Sequence, residues 1–410
     1  MGLIINGMDA QPNKSIKNGA APQGHTTRLF AHHDVASVEE LAGICSQKAT
    51  KEQYPLAAII QNNVPIYKLP DISSLDTAQR AALQDEWYSV LLSGPGVFVT
   101  KGLFKDTAVI DRTTEAFYNI IEQERQAGTS QGDHFAAAGK NDRIWNSFSK
   151  HGLSDPGSFL AYYSNPYISL IASAWLGPWY RITAQVNNVR PGSAAQVSHR
   201  DYHLGFQSAE TCAKFPRAMQ IASQLLTLQG AVAHVDVPLE SGPTRLLPFS
   251  QMLESGFMAY RRDEFVQYFL ENYVELPMEK GDGIFFNPAL FHAAGENVSE
   301  GINRMANLLQ IASAFGKTME TIDTLPLWER CWEEIVAKFN IEGMSDEMEA
   351  LLAAIATPYP FPTNMDNNPP RPGGLTPVGE LDIVLKALEE GWSKSKVVEE
   401  LEHLKKQSQS

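Results

Sequence analysis

The spacing of apolar positions changes character twice along the chain. From Thr77 to Leu92 the apolar residues Ala81, Leu83, Trp87, Val90 and Leu91 recur at helical intervals. Ser93-Gly94-Pro95-Gly96 stops that helix, and Val97-Phe98-Val99-Thr100 reads as a short strand. Helical spacing returns over 106–123 and 159–176. After Gly177 the runs shorten to strand length, at 181–189, 197–204, 225–237, 245–248, 283–286 and 304–314. Pro191-Gly192, Gly205 and Ser241-Gly242-Pro243 punctuate them. Short strands separated by turn residues predict a β-sandwich or β-barrel, with a helical insertion at 253–272. Helices follow at 325–339 and 345–356, then a Pro-rich linker near 358–377. Thr376-Pro377 reads as a helix start, with Leu381, Val384, Leu385 and Leu388 on one face and Gly391 as the stop. Ser393 opens the last helix.

The pattern divides the chain into four parts. Residues 1–50 are a polar, weakly ordered lead-in. Residues 51–177 are helical elements that support the core. Residues 178–315 form the β core, and 316–410 a helical extension. The fold class is therefore mixed α/β with an all-β core flanked by N- and C-terminal helices. The final helix pair either packs on that core or forms a homodimer interface.

Composition narrows the function. At 410 residues and 43% hydrophobic content, the chain can build a sizeable core and is not a disordered one. A net charge of −14 argues against a general binder of nucleic acid or anionic membrane, which leaves a small-molecule substrate. Three scattered cysteines, Cys45, Cys212 and Cys331, make neither a disulfide framework nor a zinc motif. With no long apolar run and no signal-like start, a cytoplasmic location is expected.

The chemistry sits in Ser198-His199-Arg200-Asp201-Tyr202-His203. On an extended chain, residues i and i+2 share a face, so His199 and Asp201 present an imidazole and a carboxylate side by side. A second histidine from a distant strand completes the two-His, one-carboxylate triad of non-haem Fe(II) oxygenases. Three coordination positions then stay open for a bidentate cosubstrate and O2. The candidate is His292, delivered by the Gly281-Asp282-Gly283 turn and the apolar run that follows. Arg304 opens the next strand, where a guanidinium can clamp the distal carboxylate of 2-oxoglutarate. Gln185 and Asn187, on the strand before the triad segment, are further cofactor-binding candidates.

His199-x-Asp201, Ser241-Gly242-Pro243-Thr244 with Pro248, Gly281-Asp282, His292 and Arg304 together resemble the phytanoyl-CoA dioxygenase family over residues 180–312. Weaker echoes lie in Gly96–Gly102 and in Asn141-Asp142-Arg143-Ile144-Trp145. The resemblance implies a double-stranded β-helix (jelly-roll) core. It implies that His199, Asp201 and His292 hold iron, and that Arg304 holds 2-oxoglutarate. It also implies oxidation of a C–H bond, usually hydroxylation, with release of succinate and CO2. Two positions depart from the family's pattern. Ser241-Gly242-Pro243-Thr244 replaces the usual Asn-Gly-Pro-Leu beside the pocket, and Ala294 stands where a hydroxyl residue often follows the distal histidine.

Competing readings remain. His234-Val235-Asp236 repeats the His-x-Asp spacing, but directly before the Ser-Gly-Pro turn, where the family carries an ordinary strand and turn; a hydrogen-bonded strand histidine is expected there. His203 is either a third imidazole ligand or a pocket residue, the latter preferred, and Tyr202 is expected to point away from the metal face. Arg143 and Trp145 either line the pocket mouth or anchor a loop. Two other functions are open: a cupin-type metalloenzyme that does not use 2-oxoglutarate, and a non-catalytic jelly-roll binding protein.

Overall fold

The computed structural model describes residues 27–30, 36–129 and 141–409. His134 and most of the polar lead-in lie outside the described residues. Ten strands are found: β1 Ile59–Gln61, β2 Val64–Lys68, β3 Val97–Lys101, β4 Asn141–Ile144, β5 Tyr180–Val189, β6 Thr227–Ala233, β7 Thr244–Leu246, β8 Gly283–Phe286, β9 His292–Ala294 and β10 Arg304–Ser313. Eight of them form one sheet in the order β1-β2-β3-β8-β6-β10-β5-β4, and β7 pairs with β9 in a small second sheet. Every pairing is antiparallel except β2 with β3. The fold is mixed α/β, with a large, mostly antiparallel sheet flanked by helices.

Alternation along the central strands explains the layering. On β10, Leu309 and Ile311 join Leu228 and Val232 of β6 and Ile182 and Ala184 of β5 in the main apolar core. That core is built against the helices Thr77–Leu92, Pro156–Tyr163, Pro166–Leu176, Leu325–Glu342 and Asp346–Ile355. Trp87, Trp328 and Trp332 are buried in it. Full burial of a large apolar side chain contributes on the order of 2–3 kcal/mol, which makes this face the main source of stability. The alternate residues, Arg304, Ala306, Leu308 and Gln310 on β10 with Gln185, Asn187 and Val189 on β5, face a cavity on the other side of the sheet.

Four expectations need correction. The segment 51–177 is not only helical support: β1 to β4 come from it and supply half of the large sheet. Part of the lead-in is regular structure, with Ala36 buried ahead of a helix. Helix Val38–Cys45 is capped by Ser37 and buries Leu41 against Leu253, Phe265 and Phe269. The run 197–204 is not a strand; it makes a single β-bridge, His199 to His292, and then a 3-10 turn at His203–Phe206. The penultimate helix starts at Glu380 rather than after Thr376, because the Asp382 carboxylate accepts the Gly379 N–H and caps it there.

The last two helices, Glu380–Glu389 and Lys394–Gln407, bury Val384, Ala387, Leu388, Val397 and Leu401 in the main core. Their apolar faces are thus covered within the chain, the first of the two roles open to them. Among the described residues, no helix is long and apolar enough to cross a membrane.

Candidate metal centre and active-site cavity

His199 and His292 meet across one antiparallel bridge. The His199 N–H donates to the His292 carbonyl at 2.9 Å, and the His292 N–H returns to the His199 carbonyl at 3.1 Å. Each ring is then fixed locally in the same way. His199 Nδ1 lies 2.9 Å from the Val197 carbonyl, and His292 Nδ1 lies 2.8 Å from the Leu290 carbonyl. A carbonyl only accepts, so Nδ1 carries the proton and the Nε2 lone pair is left for a ligand-bound partner. Asp201, anchored by its N–H to the Pro288 carbonyl, brings its Oδ2 to 3.8 Å from His199 Nε2 and 3.5 Å from His292 Nε2.

These three ligand atoms lie within 4.8 Å of one another, the one such group among the described residues. His292 Nε2 is buried without a protein hydrogen-bond partner. A neutral buried imidazole nitrogen, a second imidazole and a carboxylate on one point are the donor set for Fe(II) with open positions. Burial works to raise the Asp201 carboxyl, but His199, His292 and a hydrogen bond from Gln229 outweigh it and bring it down to about 2. Burial and then the neighbouring His292 push the His199 imidazole below its ordinary value. Asp201 is thus held as a carboxylate and His199 as a neutral imidazole, the forms that a divalent metal needs.

The cavity around the triad has a volume of about 670 Å3, within the usual range for small-molecule sites. It lies between the inner face of the large sheet and the segment 195–202 with β7 and β9. Arg304 lines one end. It is buried, and burial pushes its guanidinium down to about 10, still a cation at neutral pH. No hydrogen bond or ion pair to this guanidinium is found among the described residues. Its fixed charge suits a ligand carboxylate.

The other end is polar and aromatic. Arg143 of β4 donates to Gln185 Oε1, and its guanidinium sits 4.7 Å over the Trp145 ring. Gln185 Nε2 in turn reaches Glu320 Oε1 at 3.4 Å, and burial raises the Glu320 carboxyl. Both Arg143 and Trp145 line the cavity. Gln185 is therefore committed to bracing Arg143, whereas Asn187 faces the cavity opposite Ala306, beside the Arg304–Val189 pair, with Oδ1 unpartnered in the protein. Tyr202 is buried in the cavity wall instead of pointing away from it. Backbone at His203 is left-handed (φ 45°), which turns its ring out of the cavity to 3.5 Å from Thr227 Oγ1.

His234 is a core histidine. Its Nδ1 lies 2.8 Å from Thr114 Oγ1 and its Nε2 3.2 Å from Tyr162 Oη, and the ring packs on Phe117. Exposed Asp236 accepts the Lys280 N–H.

The turn residues have structural reasons. Gly242 is left-handed (φ 71°), and a Cβ there would lie 2.2 Å from the Glu296 carbonyl oxygen. Its turn starts β7, which sets Thr244 directly opposite Ala294. Asp282 is buried, accepts the Gly102 and Glu279 N–H groups, and pairs with Lys101 at 2.6 Å, which ties the β8 entry to β3. Sequence reasoning missed Gln229, Glu320 and Thr244 as site residues. Gln229 lies on β6 and donates from Nε2 to Asp201 Oδ2 at 2.6 Å. The alternation of β6 was the available signal: Gln229 shares the inward phase with Ala231 and Ala233.

An open facial triad and an anion-ready arginine in one cavity define the class of non-haem iron enzymes that use a 2-oxo acid. The family model for phytanoyl-CoA dioxygenase (PhyH) matches residues 93–306, more than half of the chain. The chain belongs to this family. Dioxygenase trt7 of Aspergillus terreus (strain NIH 2624 / FGSC A1156) is 30% identical over 137 residues, 33% of this chain and 42% of that protein. The match thus spans less than half the length of that relative. Among solved structures, the non-haem α-ketoglutarate-dependent epimerase SnoN from nogalamycin biosynthesis aligns at 19% identity and TM-score 0.40, over 57% of this chain and 82% of that one. The α-ketoglutarate-dependent carbocyclase SnoK aligns at 18% and 0.39, over 59% and 85%.

Proposed function

We propose that this chain hydroxylates a C–H bond of a small or medium-sized organic metabolite, with conversion of 2-oxoglutarate and O2 to succinate and CO2. The carrying observation is the pairing, in one cavity, of the three-ligand cluster with a buried arginine whose guanidinium makes no hydrogen bond or ion pair among the described residues. An enzyme without 2-oxo acid chemistry has no use for that arginine. The double-stranded β-helix is the finer reading of the architecture, with β7, β9 and the 193–199 segment as its second layer.

Bound iron would supply the activation of O2, coupled to decarboxylation of the cosubstrate. The chain's own residues bind and orient. His199, Asp201 and His292 would hold the metal. Gln229 holds the Asp201 carboxylate from turning. Arg304 receives the distal carboxylate, with Asn187 alongside. Thr244 stands across the small sheet from Ala294 and lines the cavity, so its hydroxyl takes the place of the one missing at position 294. Gln185 acts through Arg143 rather than by touching the cosubstrate.

Anaerobic addition of 2-oxoglutarate to the Fe(II)-loaded chain tests this reading. The chelate's visible charge-transfer absorption is expected in the wild type and in His234→Gln, and is lost in His199→Ala. Absence of the band in the wild type would overturn the assignment.

A further inference from the structure

We propose that the end of the cavity opposite Arg304 is a hydrogen-bonding subsite formed by Gln310, Gln229 and Tyr202, and that it selects a substrate carrying a hydroxyl or N–H donor on an otherwise apolar body. In naming the occupant as substrate, this rests on the oxygenase reading above.

Gln310 and Gln229 are direct register partners across β10 and β6, and both line the cavity. Arg304 lies on the same face of β10, six residues away, or roughly 20 Å along an extended strand. The two ends are therefore far enough apart for cosubstrate and substrate to occupy them together.

The polar atoms at this end are short of protein partners. Gln310 is 6% exposed and Tyr202 4% exposed; among the described residues Gln310 Oε1 has no hydrogen-bond partner, and the Tyr202 hydroxyl stands beside Gln229. Gln229 shows the same deficit at Oε1. Gln229 Nε2 donates to Asp201 Oδ2 at 2.6 Å, which leaves Oε1 facing away from that carboxylate. Tyr202 is next to Gln229, so the buried Gln310 acceptor is the one left for a donor brought by a ligand.

A ligand that enters without such a donor displaces water and leaves a buried acceptor unpaired. Sites of this type reject the analogue lacking the polar group far more strongly than an apolar pocket rejects an extra one. The approach to the subsite is apolar. Trp145, half-exposed Met319 and exposed Phe206 line it, and suit a ring or branched carbon body.

Matched probes test the proposal on the full chain, both metal-free and loaded anaerobically with Fe(II) and 2-oxoglutarate. Naphthalene-2,7-diol can donate hydrogen bonds; 2,7-dimethoxynaphthalene keeps the rings and oxygens but cannot. Titration followed by probe fluorescence is expected to show the diol binding about 10-fold or more tighter, the scale of one satisfied buried hydrogen bond. Gln310→Leu is expected to remove most of that preference, and Gln310→Glu, which keeps an acceptor, to retain it. Equal affinities, a preference that survives Gln310→Leu, or no binding of either probe overturns the subsite. The charge-transfer band of the same loaded sample separates the two readings. A donor preference without the band leaves the subsite standing and removes the oxygenase reading; the band without a preference does the reverse.

Discussion

His199-Arg200-Asp201 and His234-Val235-Asp236 have the same spacing on the same chain, and the structure gives them opposite surroundings. In the first, each imidazole of the site spends Nδ1 on a carbonyl two residues back and keeps Nε2 open. In the second, both ring nitrogens of His234 are already taken by hydroxyls, and Asp236 faces solvent with a backbone N–H. A metal site is thus defined by which donor atoms the fold leaves unspent. Arg200 marks the same difference. Its guanidinium is buried between Phe257 and Phe291 and donates to the Ser250 and Leu253 carbonyls, which pins the first motif to the 250–260 segment. Val235 makes no such anchor.

Variants at the two motifs should therefore separate cleanly. The largest effect is expected from Asp201→Ala, which removes a charged ligand and should abolish iron retention after desalting, measured by metal analysis; Asp236→Ala should retain iron at the wild-type ratio. Next comes Arg304→Leu. Two charge-assisted hydrogen bonds to a carboxylate are worth on the order of 3 kcal/mol, so 2-oxoglutarate affinity should fall about 100-fold by calorimetry with iron still bound. A change below a few-fold would remove Arg304 from the cosubstrate role. Gln229→Leu frees the Asp201 carboxylate to rotate, and should weaken iron binding about 10- to 100-fold while leaving thermal stability nearly unchanged.

The last prediction concerns the second motif and acid. Burial pushes His234 and His151 down to about 3, whereas both take protons near 6.5 in the unfolded chain. Between those values the unfolded state binds more protons, so stability falls as pH drops from about 6.5 towards 3, by up to about 1.4 kcal/mol per pH unit for each group. Denaturant unfolding at a series of pH values should show a shallower decline in His234→Gln than in the wild type. Equal slopes would mean that His234 is protonated in the folded state.

Much of the site was legible because its residues sit close in sequence or at strand phase. The triad segment, the Gly-Asp turn and the inward position of Arg304 all follow from spacing. The Asn62-Asn63 hairpin escaped the pattern: both residues adopt the positive φ that a two-residue β-turn asks, but the strands on either side are only three and five residues long. Their membership of the large sheet depends on β3 pairing with β8, far along the chain, which no local pattern encodes. Gln229, Thr244 and Glu320 escaped for a related reason. Each gains its meaning from a neighbour across a sheet or from a loop, and a polar residue in a short strand carries no mark of which partner it will meet. Helix Arg217–Leu225 escaped the pattern, and the strand expected from 225 begins at Thr227.

The reciprocal hydrogen bonds between His199 and His292 join two of the three ligands rung to rung by the main chain. The spacing of the two imidazoles is therefore set by the backbone, and a substitution that shifts either segment moves both together.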